Sequence, residues 1–143
     1  MKALIGIVLA FAALPVIAGD LEDGKQFLKS KEYSRATASF RKAADLGSAD
    51  AQNELGHLYL RGTGVVQDYK QAIEWFQRSA AQGHPAGQTS LGSMYTDGKG
   101  VAKDSKQAMY WFKKAAARGY TAAYLFIGEL YEEAKDFKRA AYW

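Results

Sequence analysis

The chain has 143 residues and a mass of 15.7 kDa, room for one ordinary domain. Hydrophobic residues make up 48% and charged residues 24%, which excludes the sparse, highly charged composition of a disordered chain. The net charge of +4 is modest, and the absence of cysteine excludes disulfides, zinc–thiolate sites, a thiol nucleophile and lipidation of an N-terminal cysteine. Alanine is abundant and only Pro15 and Pro85 interrupt the chain as prolines, so the backbone preference is for helix.

Residues Met1 to Ala18 begin with Lys2 and continue as an apolar run that closes on Val16-Ile17-Ala18 before Gly19-Asp20. A short basic start, an apolar run of about 16 residues and small residues flanking a cut site read as a signal peptide cleaved after Ala18. An uncleaved anchor would need a longer run with basic residues behind it. Export without cysteine suits a bacterial periplasm or a secreted location. The mature chain, 18 basic against 15 acidic residues, then carries +3. Membrane contact is expected only through this leader before cleavage.

Self-similarity organises everything after it. A shift of 36 residues lays Ala49–His84 on Pro85–Tyr120 with 16 of 36 columns identical. Residues 19–48 repeat the pattern in shorter form: Tyr33, Ala36, Phe40, Ala44 and Gly47 stand where Tyr69, Ala72, Phe76, Ala80 and Gly83 stand. Allowing a four-residue deletion, Gly24 and Phe27 fall on Gly56 and Tyr59. Residues 121–143 form a partial third repeat, in which Ile127, Gly128 and Tyr131 match Leu91, Gly92 and Tyr95, and Asp136–Trp143 matches Asp104–Trp111. The organisation is a leader (1–18), a short helix pair (19–48), two full repeats (49–84 and 85–120) and the partial unit, about three and a half stacked helix pairs.

The columns carry physical reasons. Ala51, Leu55, Leu58 and Tyr59 sit at helical spacing and make one apolar stripe on the first helix of a repeat. Gly56 lies inside that stripe, where it costs about 1 kcal/mol relative to alanine unless a bulky side chain packs on its bare backbone. Its recurrence at Gly92 and Gly128 predicts that this approach repeats. Gly62-Thr63-Gly64 and Gly98-Lys99-Gly100 are placed to end the first helix and turn the chain. Asp68 and Asp104, with Gln71 and Gln107 three residues later, read as capping boxes for the second helix. That helix carries Ala72, Phe76, Ser79 and Ala80 on one face, and Trp75, Trp111 and Trp143 are predicted to cover the seams between pairs.

At these residues the sequence resembles the Sel-one-like repeat family of tetratricopeptide-like solenoids, whose repeat carries L-G-x-x-Y-x-x-G-x-G-V-x-x-D-x-x-x-A-x-x-W-[YF]. The resemblance is strong over Ala49–Tyr120, while the flanking units lack the G-x-G-V loop and resemble the shorter tetratricopeptide form. It implies an all-α, right-handed solenoid of antiparallel helix pairs and a role as a non-enzymatic adaptor for protein assemblies, often in the bacterial envelope. The rival function is an envelope enzyme, or a regulator of one, acting on cell-wall material.

Catalytic and cofactor chemistry finds little support. His57 and His84 have no recurring acidic partner at metal-ligand spacing, and neither repeats in the second unit, so no metal and no cofactor are expected. Gly98-Lys99-Gly100 lacks the longer context of a phosphate cradle. Neither G-x-S-x-G nor H-E-x-x-H occurs, and no catalytic residue is assigned. Lys70, Arg78, Lys106, Lys113 and Lys114 are interspersed with acids rather than gathered as a phosphate-tracking patch, which argues against nucleic acid.

A protein or peptide partner remains. By the geometry the resemblance implies, the concave wall is built from the first helix of each repeat. Its positions are Asp50, Asn53, His57, Leu60 and Arg61, then Thr89, Ser93, Thr96 and Asp97, then Leu125, Glu129, Glu132 and Glu133. These vary between repeats where the core columns agree. The run of Glu129, Glu132 and Glu133 predicts that a bound peptide places basic residues at the C-terminal end of the wall. The repeat pattern stops at Tyr142-Trp143, midway through a helix, so either it continues further or a partner or second copy covers that edge.

Overall fold

The computed structural model describes residues 2–143, with side chains from Leu14 onward apart from that of Phe137. Most of the apolar run read as a leader therefore lies outside the described side chains. All regular structure among the described residues is helical: α1 (Lys2–Lys29), α2 (Tyr33–Asp45), α3 (Ala49–Arg61), α4 (Tyr69–Ala81), α5 (Pro85–Asp97), α6 (Ser105–Ala117), α7 (Thr121–Glu133) and the short α8 (Phe137–Ala140). Each helix packs on the next, and α3 also packs on α5, so the pairs stack as an α-solenoid with α3, α5 and α7 forming one layer. Among the described residues no helix is long and apolar enough to cross a membrane.

Helix α1 runs unbroken past Ala18 into the first pair, and Ile17 and Leu21 pack half-buried against the first core cluster. The core follows the repeat columns. Phe40, Phe76 and Phe112 are fully buried, and so are the alanines at 36, 72 and 108 that leave room for them. A Cβ on Gly56 would stand 2.5 Å from Phe76 Cε1, and one on Gly92 2.6 Å from Phe112 Cε1, so the bare backbone of each glycine is the seat of an aromatic ring. Gly24 seats Phe40 in the same way. Gly128 departs from this expectation. Its nearest neighbour would be Ala140 O at 3.7 Å, because the counterpart of Phe112 in this unit would follow Trp143.

The two-glycine loops divide their work. Gly62 (φ 67°) and Gly98 (φ 68°) take the left-handed conformation that closes α3 and α5, their N–H groups donating to Leu58 O and Met94 O. Gly64 and Gly100 are also left-handed, and a Cβ on either would stand 2.5 Å from a carbonyl oxygen of the preceding unit, Tyr33 O or Tyr69 O. The short units lack this loop and put lysines in the left-handed region instead, Lys31 (φ 61°) and Lys135 (φ 57°).

Asp68 Oδ1 accepts from the N–H groups of Lys70 (2.9 Å) and Gln71 (3.1 Å), and Asp104 repeats this with Lys106 (3.0 Å) and Gln107 (3.1 Å). Only half of the expected capping box forms. The aspartate N–H that Gln71 or Gln107 would satisfy is donated instead to Tyr59 O (3.0 Å) or Tyr95 O (2.9 Å), which ties each loop to its own first helix. The tryptophans cover the seams as the spacing predicts. Trp75 is buried in the first cluster, Trp111 packs on the cluster around Phe76, and Trp143 stacks on Tyr124. The rings of Tyr59 and Tyr95 each touch two of the three core clusters.

Candidate functional site

A cavity of about 530 Å³ opens on the layer made by α3, α5 and α7. It lies in the size class of clefts that enclose a small ligand or a few side chains. Helix α3 contributes Asn53, His57 and Leu60, about one turn apart along the face opposite the Leu55 stripe, and Glu54 beside them. Helix α5 contributes Thr89, Ser90, Ser93 and Asp97, and α7 closes the far side with Phe126. Phe76 and Met94 form the apolar floor.

Polar groups on this face are cross-linked between repeats. The Ser90 hydroxyl donates to Asn53 Oδ1 (3.0 Å), and the Nε2–H of His57 donates to Ser90 Oγ (3.2 Å). With that assignment His57 Nδ1 is a buried acceptor without a partner, and its ring lies edge-on to Phe76 at 5.0 Å. Burial, with Arg61 adding to it, pushes the imidazole below its ordinary range, so His57 is neutral at pH 7. No carboxylate orients the ring, and its Nε2 is a donor to the serine rather than a base for it. The pair therefore lacks the relay that activates a nucleophile. Among the described residues no group of histidine and carboxylate side chains is placed to hold a metal ion.

Carboxylates are the other feature of the face. Asp97 is paired with Lys99 Nζ (2.8 Å), which holds that lysine above its ordinary range chiefly through the hydrogen bond. Asp50 accepts from His84 Nε2 (3.0 Å), whose Nδ1 in turn caps α5 by accepting from Gly87 N–H (3.1 Å). Glu54 has no ion-pair partner among the described residues. Burial pushes its carboxyl above the usual range, with Asp50 adding to the rise and Lys25 and Arg61 opposing it from a distance.

The structure thus gathers Asn53, His57, Leu60, Thr89, Ser93 and Asp97 of the sequence-derived wall around one groove, although Asn53 and Thr89 are themselves buried. Thr96, Glu129 and Glu133 flank a separate small cleft of about 50 Å³ that shares Phe126 with the groove. Asp50 is paired with His84, Arg61 is exposed at the end of α3, and these two, with Leu125 (69% exposed) and Glu132, line neither cleft. Glu54, Ser90, Tyr120 and Phe126 were not predicted from the sequence. Helical spacing carried a signal for the serine, since Ser90 falls three residues before the predicted Ser93 on the same helix.

One further regularity is legible in the sequence once the layers are known. Helices α3, α5 and α7 together carry six carboxylates and a single cation, Arg61. Helices α2, α4 and α6 carry eight cations and two carboxylates. A chain with net charge +4 therefore presents an acidic inner layer and a basic outer one.

Comparison with known proteins agrees with this architecture. No curated protein sequence matches the chain. A Sel1 repeat protein from Oxalobacter formigenes superposes with a TM-score of 0.82 at 34% identity, over 87% of this chain and 54% of that one. The protective antigen c5321 of uropathogenic Escherichia coli, which has an SLR fold, superposes with a TM-score of 0.79 at 31% identity, over 86% of this chain and 27% of that one. Helicobacter pylori cysteine-rich protein B gives a TM-score of 0.63 at 27% identity, covering 80% and 91%. The chain thus spans about half or less of the first two structures. Sel1 repeat proteins are generally non-enzymatic protein-interaction scaffolds. The Sel1 repeat model matches residues 22–48, 49–84 and 85–120, and the chain belongs to the Sel1 repeat family.

Proposed function

We propose that the chain is a non-enzymatic adaptor of the bacterial envelope that holds a partner polypeptide against the layer formed by α3, α5 and α7. The observation that carries this reading is the groove of about 530 Å³, where two successive repeats offer polar side chains over an apolar floor, the third closes it with Phe126, and the His57–Ser90 pair forms no catalytic relay. Export rests on Lys2, the apolar run and the small residues before Gly19.

Photo-crosslinking in the native cells tests the surface. A crosslinker at Ser93 should trap a partner that one at Lys113, exposed on α6, does not. Equal trapping at both positions would overturn the concave assignment. The intact mass of the purified protein tests export, since a leader cut after Ala18 leaves a chain that starts at Gly19. A chain that retains Met1 in the mature protein would refute it.

A further inference from the structure

We infer that the groove recognises a partner segment carrying a lysine or arginine beside an apolar side chain, the cation seated against Glu54 and the apolar group on Phe126 and Met94. The inference rests on the concave-surface reading and names its ligand chemistry. Two observations support it independently.

The first is the state of the carboxylates. Asp97 and Asp50 already have partners in Lys99 and His84, at 2.8 and 3.0 Å. Glu54 lines the groove half-buried with no counter-charge at ion-pair distance. A carboxylate held partly out of water without a partner is destabilised in its charged form, and the upward push on its carboxyl reports that cost. A cation arriving from a partner removes the cost and adds a charge-assisted hydrogen bond. Neighbouring His57, neutral, contributes no competing charge.

The second is the segregation of charge between layers. Six carboxylates against one cation on α3, α5 and α7 make this layer net negative, and Glu54, Asp97 and Lys99, the charged residues that line the groove, leave it with one net negative charge, while the cations of α2, α4 and α6 lie on the other layer. Such a charge distribution steers basic segments toward the groove and acidic ones away from it. The apolar floor under Glu54 supplies the second half of the specificity, because a basic side chain alone would gain little at a screened surface.

A random dodecapeptide library displayed on phage and panned on the full chain tests this, with the recovered peptides resynthesised carrying a fluorophore and titrated by anisotropy. Peptides rich in lysine or arginine next to aliphatic or aromatic residues are expected, weakened about tenfold by Glu54→Gln and by raised salt. Ser93→Trp, which fills the groove, should abolish their binding, and Ser93→Lys serves in its place should the tryptophan variant fail to fold. Acidic or uncharged peptides that are still blocked at Ser93, or basic ones indifferent to Glu54→Gln, would overturn the inference and leave the concave reading standing. Peptides indifferent to every change at Ser93 would overturn both.

Discussion

The pair α3–α4 and the terminal pair α7–α8 start from the same residue pattern and end in different packing. Gly56 and Gly128 occupy the same column, yet Phe76 presses on the first, while the second has only Ala140 O at ordinary contact distance. A shared column therefore does not guarantee a shared role. The role is set by the partner sixteen or twenty residues on. Both pairs tie an aspartate N–H back to the matching tyrosine carbonyl, Asp68 to Tyr59 and Asp136 to Tyr131, but α3–α4 gets there through a loop with Gly62 and Gly64 in the left-handed region, whereas the terminal pair turns tightly through Lys135.

Truncating the ring that makes the difference should have the largest effect. Phe76→Ala removes a fully buried aromatic side chain and should cost about 3–5 kcal/mol in denaturant unfolding. Next comes Gly56→Ala, which should destabilise by about 1–3 kcal/mol despite alanine's better helix propensity, because its Cβ would meet the Phe76 ring. Gly128→Ala in the 143-residue chain, where Ala140 O at 3.7 Å is the nearest atom to that Cβ, should do the reverse, stabilising by up to about 1 kcal/mol. Equal effects at 56 and 128 would erase the contrast between the two pairs. Asp68→Ala, which removes the cap of α4, should cost about 1 kcal/mol by the same measurement.

The smallest expected effect is pH dependence in the wall itself. His57 lies below its ordinary pKa of 6.5 when folded, so the unfolded chain takes up the proton first, and this residue's contribution is lost as pH falls through about 6.5. Glu54 has the opposite sign. Its carboxyl is raised when folded, so it favours the folded state increasingly as pH falls toward its ordinary 4.5. His57→Asn should flatten the slope of stability between pH 7 and 6, and an unchanged slope would mean that the burial of the imidazole is not what sets it.

The solenoid was legible because stacking one repeat on the next demands the same volume at the same column. Gly56, Gly62, Gly64, Asp68, Phe76 and Trp75 each satisfy a local steric or hydrogen-bonding need that repeats with the period of 36 residues. The groove was half legible. Helical spacing on one helix identified Asn53, His57 and Leu60, but the entry of Phe126 and Tyr120 depends on how far the third repeat is rotated against the first, which no single-helix pattern contains. Asp50 was placed on the wall by the same spacing, yet it turns to His84, a contact between residues 34 apart that arises only when α3 and α5 stack. The capping boxes failed for a similar reason, since the carbonyls of Tyr59 and Tyr95 reach the aspartate N–H groups first.

The two tyrosine rings that touch neighbouring clusters have a further consequence. Tyr59 joins the first cluster to the one around Phe76, and Tyr95 joins that one to the cluster around Phe112. A linear stack in which each unit contacts only its neighbours unfolds from its ends in steps when the couplings are weak, and all at once when they are strong. The tyrosines are the couplings. Hydrogen exchange should find the three clusters opening as one cooperative unit, and replacing Tyr95 with alanine should split that event, letting the α7–α8 end open while the rest stays closed.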